Sequence, residues 1–304
     1  MASAETSWKK ALESFAQANG DLQSFLVLDL DGTALLEDHG KVFISSSVEK
    51  GVKAIYDLKL PVVLNTLRFP LSVISTVGEA WCQLADVPIL TVLLNGSLLG
   101  QIRHNDGELI FEERKAYPMS ADEITAMLEG IEQLVKAKID DFLFFFYSRD
   151  WREGETLWTP NREKVAELKK KFVSASRVLS GSIEELHREL AARDICMTSL
   201  FIDRPEDSLM SYQHSKRNNF FTSTDVSKAS GLRAIAKQLG LNPLAALGAG
   251  DTEMDSFLNE VGFAVIVGDA RLDVCGRSGT FRVSTPLKLG ELLLCYAEIL
   301  KGRG

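Results

Sequence analysis

Two aspartates one residue apart, Asp29 and Asp31, interrupt the apolar run "FLVLDLDGTALL". Burying carboxylates behind such a run costs free energy unless a cation or hydrogen-bond donors surround them. The pattern recurs in "LAALGAGDTEMD", where an apolar run breaks at Asp251 and Asp255 follows one helical turn later, on the same face. Carboxylates gathered at one place repel each other unless a divalent cation neutralises them. Hard oxygen ligands with positions left open to water and phosphate favour magnesium. Beside such an ion one aspartate can attack phosphorus and become an aspartyl phosphate. The second, Asp31, can protonate the leaving alcohol and later take a proton from the hydrolytic water. Phosphate oxygens also need donors, and Thr66 and Lys228 are the candidates.

Plainer readings exist for each piece. Asp29 to Gly32 also makes a strand-ending turn, as a "DG" pair does. Lys228 taken alone reads as a solvated surface lysine. A calcium loop is excluded, because its sixth and twelfth positions require glycine and an acid where Ala34 and Gly40 stand.

Short runs rich in Val, Ile and Leu carry these residues: "FLVLDL", "PVVLNT", "PILTVLL", "LAALGAG", "GFAVIV" and "TFRVS". Helical periodicity separates the first three, through Val48, Val52, Ile55 and Leu58, then Ile74, Val77, Trp81 and Leu84. Apolar strands alternating with helices predict an α/β fold with a parallel sheet covered on both faces, whose ligands bind beyond the carboxyl ends of the strands. Asp29, Thr66 and Asp251 all fall at such ends.

The middle of the chain differs. A hairpin is expected to turn at "NDG" from Asn105, and a helix to start at Ser120 with Glu123 completing a capping box. An aromatic strand "DFLFFFY", helices at Arg162–Phe172 and Ser182–Ala192, and a strand from Asp194 follow. This is an α+β insertion. The expected organisation is a helical leader over 1–23, a core over 24–117 and 218–304, and a cap over 118–217. Trp8, Leu12 and Phe15 give the leader one apolar face, to dock on the body or on a second subunit as a homodimer.

A net charge of -8 over 304 residues argues against a nucleic-acid or anionic-membrane binder. Cys82, Cys196, Cys275 and Cys295 form no CxxC pair, which fits a reducing cytoplasm, and no apolar run is long enough to span a bilayer.

The ordered set "DLDGT", "LNT", "DVSK" and "GAGDTEMD" resembles the haloacid dehalogenase superfamily, in the branch with a type IIB α/β cap. That branch holds the Cof-type hydrolases, sucrose-phosphate phosphatase and mannosyl-3-phosphoglycerate phosphatase. The resemblance runs from Phe25 onward and includes the "NGS" turn at Asn95 and "VGDA" at Val267. It implies a Rossmann-like core, Asp29 as nucleophile, Asp31 as general acid/base, and Thr66 and Lys228 as phosphate binders. Magnesium would be held by Asp29, the backbone carbonyl of Asp31 and Asp251, with Asp255 supporting the site. Three departures stand out: Leu67 for the glycine before Arg68, Met254 for asparagine before Asp255, and Ala229 for glycine after the lysine.

The expected activity is magnesium-dependent hydrolysis of a small phosphorylated metabolite, a sugar phosphate by resemblance. A phosphomannomutase-like phosphomutase would use the same aspartyl phosphate, and a non-catalytic metabolite-binding protein would use only the pocket. Substrate contacts are sought at Arg68, Asn95, the tryptophans Trp151 and Trp158, and the cluster His214, Lys216 and Arg217. The plainer alternative has the tryptophans packing the cap and the basic cluster forming a solvated linker. His39 and His104 read as surface residues.

Overall fold

The computed structural model describes residues 2–19, 23–38, 41–85, 87–139, 141–202 and 220–303. The chain opens with α1 (Ala2–Ala18), β1 (Phe25–Leu28), the hairpin β2 (Leu35–Asp38) and β3 (Lys41–Ile44), α2 (Ser46–Asp57) and β4 (Val62–Asn65). Next come α3 (Pro70–Val73), a π turn at Ile74–Gly78, α4 (Glu79–Ala85), β5 (Ile89–Leu93), β6 (Leu98–Asn105) and β7 (Glu108–Ala116). The insertion holds α5 (Ala121–Lys136), β8 (Leu143–Ser148), β9 (Glu155–Thr159), α6 (Val165–Lys171), β10 (Ala175–Ser180), α7 (Ile183–Ala191), β11 (Ile195–Phe201) and β12 (Phe220–Thr222). The chain finishes with α8 (Lys228–Leu239), β13 (Ala246–Gly250), β14 (Phe263–Val267), β15 (Gly279–Val283) and α9 (Pro286–Lys301).

The main sheet runs β15-β14-β13-β1-β4-β5-β6-β7. Strands β15 to β5 in that order are parallel, and only the edge hairpin β6–β7 is antiparallel. Its turn places Asp106 and Gly107 at φ 53° and 86°, as a two-residue I′ turn requires. Alternate residues of β1 serve opposite layers. Leu26 and Leu28 join Val52 of α2 and Leu292 of α9, whereas Phe25 and Val27 join Leu232 and Ile235 of α8. Burial on both faces is why these strands are apolar throughout. The chain steps from β1 outward to β4 and β5, then returns to the other side of β1 with β13. The reversal leaves a crevice at the carboxyl ends of β13, β1 and β4.

The leader helix docks on its own body: Leu12 and Phe15 are buried, and the Phe15 ring lies 5.4 Å from Phe263 and 6.1 Å from Tyr296. Among the described residues no helix is long and apolar enough to cross a membrane.

The cap sheet runs β10-β9-β8-β11-β12. One face, with Phe142, Phe144, Phe146 and Trp158, packs on Ile131 of α5 and Leu186 of α7. The other, with Phe145 and Tyr147, is continuous with the main core, and Tyr147 lies 5.4 Å from Phe69 in the loop after β4. The Ser120–Glu123 capping box forms, and Ser182–Glu185 makes a second one. Several features depart from the sequence expectations. The hairpin β2–β3 and the strands β9 and β10 were not anticipated. The helix expected from Arg162 begins as a 3₁₀ turn and becomes α-helical at Val165. Phe220–Thr222 pairs with β11, so the smaller sheet takes its last strand from beyond residue 217.

Candidate active site

Asp29 is the first residue beyond β1, its amide donating to Ala249 O of β13 at 3.0 Å. Because β13 and β4 flank β1, Asp251 and Thr66 emerge on either side of it. The Asp251 carboxylate is fixed by Thr33, whose hydroxyl donates to Oδ1 at 3.0 Å. Gly32 lies beneath that carboxylate with φ at 77°, and a Cβ there would collide with it. This glycine therefore answers both a backbone and a space requirement.

Lys228 comes from the other half of the chain, as the first residue of α8 after the cap Ser227. Its Nζ donates to Asp29 Oδ1 and Asp255 Oδ1, both at 2.6 Å, and only 3 % of the side chain is exposed. The surface reading of Lys228 is thereby corrected. Asp255 accepts on its other oxygen from the amides of Asp251 and Thr252, each at 2.9 Å, and so organises the loop after β13. Its side chain lies behind Asp251, against the loop backbone.

Three residues outside the expected set hold Lys228 in place. Asn65 Nδ2 donates to the Lys228 carbonyl at 2.9 Å. Ser230 and Ser227 form a reciprocal capping box. A signal for Asn65 was present, since it is an amide at the end of an otherwise apolar strand. The "NGS" turn abuts this helix start: Gly96 has φ at 97°, and a Cβ on it would collide with Ser227 O. Asn95 sits half-buried in that turn at φ 57°, a conformation that asparagine tolerates.

A cavity of about 390 Å³ opens above this cluster. Its polar floor holds Asp29, Asp31, Thr66, Lys228 and Asp251, and its walls include Leu36 and Val42 of the β2–β3 hairpin, Leu67 and Met254. Leu67 is not among the positive-φ residues, so a side chain stands where the resemblance has glycine without straining the backbone. Ala229 takes part in the scaffold through its amide, which donates to Ser256 Oγ at 3.2 Å.

The other sequence candidates fall elsewhere. Arg68 is buried beside the cavity and pairs with Asp31, Nη2 to Oδ1 at 2.6 Å. Trp151 is half-buried against Phe111, ring centroids 6.4 Å apart, under the Arg152 guanidinium and outside the cavity wall. Trp158 is 2 % exposed within the cap core. Neither tryptophan lines the cavity above the acidic cluster. His39, His214, Lys216 and Arg217 lie outside the described residues. His104 is exposed in β6.

Oxygens of Asp29, Asp251 and Asp255 come within 4.8 Å of one another, a grouping that could hold a metal ion. Burial raises the Asp29 carboxyl well above its ordinary value; Lys228 opposes the rise, and Asp255, Asp251 and Asp31 add to it. Burial and Asp255 push Asp251 up to about 7. Burial alone would lower the Lys228 pKa, but Asp255 and Asp29 overcome it and hold the ammonium charged. When all are ionised, the four carboxylates outnumber the two cations Lys228 and Arg68, and one divalent cation would balance the excess.

The haloacid dehalogenase-like hydrolase family matches this chain over residues 26–277. Among curated proteins none matches the sequence. Several solved structures share the fold. The subclass IIB sugar phosphatase BT4131 is 18 % identical at a TM-score of 0.62, covering 93 % of this chain and 99 % of its own. The phosphatase BT1666 from Bacteroides thetaiotaomicron is 19 % identical with the same TM-score, covering 92 % and 97 %. A COF-like hydrolase from Plasmodium vivax is 16 % identical at a TM-score of 0.65, covering 96 % and 100 %.

Proposed function

The chain belongs to the haloacid dehalogenase-like hydrolases, and on that footing we propose that it is a magnesium-dependent phosphatase acting on a small phosphate monoester in a reducing, cytoplasmic setting. One observation carries the reading: a nucleophile-competent carboxylate, Asp29, ends the central strand amid Asp31, Thr66, Lys228 and Asp251, with charge left for one divalent cation.

In this reading an Asp29 carboxylate oxygen attacks phosphorus. The bond from phosphorus to the ester oxygen breaks, and the proton of the Asp31 carboxyl passes to that departing oxygen. Asp31, now a carboxylate, takes a proton from water as the water oxygen attacks the aspartyl phosphate. Inorganic phosphate leaves, and both aspartates return to their starting forms. Thr66 and Lys228 donate to the phosphate oxygens. Asp29, the Asp31 carbonyl and Asp251 would hold magnesium, with Asp255 behind them. An ion held there would offset the repulsion between carboxylate and phosphate. A sugar phosphate is the substrate class by analogy with BT4131, an inference from fold relatives and not from the site itself.

The test is phosphate release from a panel of sugar phosphates with and without magnesium, using Asp29→Asn as control. Release that depends on magnesium and disappears in Asp29→Asn supports the reading. Release that persists in Asp29→Asn removes the nucleophile, and isomerised sugar phosphate with little free phosphate identifies a mutase instead. Tight binding without turnover identifies a carrier.

A further inference from the structure

Arg68 contributes nothing to the cavity wall, yet its guanidinium is held from three sides. Nε and Nη2 donate to Asp31 Oδ2 and Oδ1 at 2.8 and 2.6 Å, a bidentate pair. Nη1 donates to Ser72 Oγ at 3.1 Å and to Thr76 Oγ1 at 2.8 Å. The Thr76 hydroxyl gives its own proton to the Ser72 carbonyl at 2.7 Å, so it presents lone pairs to the guanidinium. Ser72 lies in α3 and Thr76 in the π turn that follows, and such widened turns recur at functional sites. The Arg68 side chain is 1 % exposed, that of Asp31 26 %.

This geometry separates two roles. A phosphate-binding arginine would turn its fork to the cavity, whereas here four of the five N–H donors of the group are committed to Asp31, Ser72 and Thr76. A planar fork on a carboxylate fixes the plane of that carboxylate as well as its place. Asp31 keeps its exposed edge toward the cavity, where an acid/base must meet the ester oxygen and then the water within hydrogen-bond reach.

We infer that Arg68, braced by Ser72 and Thr76, is a positioning residue that orients Asp31 for proton transfer and does not itself bind substrate. The inference rests on the phosphatase reading above. It gives Arg68 a different part from the substrate contact expected of the sequence.

The experiment compares two esters in the presence of magnesium. p-Nitrophenyl phosphate has a leaving group that departs without a proton, and glycerol phosphate has an alkoxide that needs one. Wild type, Arg68→Met, Arg68→Lys and Thr76→Val are studied by steady-state and rapid-quench kinetics. For Arg68→Met the expected result is a kcat on glycerol phosphate down about 10²-fold with KM within about threefold, while first-turnover nitrophenol release falls less than about fivefold. Arg68→Lys does not restore the rate, because an ammonium cannot form the fork. Thr76→Val keeps the charge and loosens the brace, so it shows the same ester selectivity at smaller amplitude, and it decides the matter if Arg68→Met does not fold.

Equal losses on both esters overturn the inference, as does a raised KM with kcat unchanged, which would make Arg68 a substrate contact. A wild-type protein inactive on both esters and on the sugar-phosphate panel overturns the phosphatase reading and this inference with it. An active wild type with unselective variants overturns the inference alone.

Discussion

Lys228 and Asp29 stand 199 residues apart in the chain and 2.6 Å apart in the fold, joined by a buried ion pair. Asp255 completes the bridge from the opposite side at the same distance. A cation at the first position of a helix opposes the helix dipole; two buried carboxylates outweigh that cost. They reach Lys228 from the loops after β1 and β13, so the pair fastens the second half of the core onto the first beneath the cavity.

Removing the ammonium leaves two buried carboxylates facing each other. Lys228→Met is expected to destabilise the metal-free protein by about 3–5 kcal/mol and to abolish phosphate release. Urea unfolding measures the first effect and phosphate assay the second. Magnesium should recover part of the stability and none of the activity, since the phosphate donor is gone. Unchanged unfolding in the variant would mean that the pair contributes nothing to folding.

The acidic cluster makes stability depend on pH in a direction opposite to that of an ordinary salt-bridged carboxylate. Asp29 and Asp251 hold protons more tightly folded than unfolded, from an ordinary value of 3.8, with Asp251 near 7. Their contribution is therefore fully present at acid pH below the ordinary value and is lost as pH rises through the folded value. Glu123 behaves conversely. Bonds from Thr224 and Ser120 hold it down to about 2, and the stability it adds is lost only as pH falls toward that value. In EDTA the unfolding midpoint should fall between about pH 4 and 7, and magnesium should raise it at the upper end. Asp251→Asn should flatten both responses. A midpoint in EDTA that climbs steadily over this range would contradict the charge assignment.

The acidic residues were legible because each breaks an apolar strand at its carboxyl end, and a parallel sheet brings such ends together. Asp29, Thr66 and Asp251 needed only that rule. Lys228 could not be placed by its neighbours, because the carboxylates that make it a core residue lie 27 and 199 residues away. Arg68 was visible only as a motif position, since its partners Asp31 and Thr76 lie on other elements. Strand β9 was missed for a related reason. Its Glu155 is fully buried, and its charge hides a strand whose carboxylate accepts from Tyr147 Oη at 2.6 Å and Ser174 Oγ at 3.1 Å. The four-residue hairpin strands β2 and β3 are too short to carry a period.

Trp158 separates packing from recognition. Its ring lies 5.9 Å from Phe142 inside the cap, so Trp158→Ala should cost about 3–5 kcal/mol of stability. KM for an active sugar phosphate should stay unchanged at temperatures where the variant is folded. Unfolding curves and steady-state kinetics read the two effects separately. A KM raised tenfold or so in a fully stable variant would return this tryptophan to the substrate site.

Gly32 and Gly107 share a positive φ, 77° and 86°, but not their surroundings. A Cβ at Gly107 meets nothing within 4 Å, whereas one at Gly32 runs into the Asp251 carboxylate. Each alanine variant should lose about 1–2 kcal/mol from the left-handed backbone alone. Only Gly32→Ala must also move Asp251 off the hydrogen bond from Thr33. Gly107→Ala should therefore keep the rise in unfolding temperature that magnesium produces, and Gly32→Ala should lose it along with phosphate release. The measurement is thermal unfolding at increasing magnesium concentration. If Gly32→Ala kept the full magnesium response, Asp251 would not be holding the ion, and the metal would have to be assigned to other oxygens of the cluster.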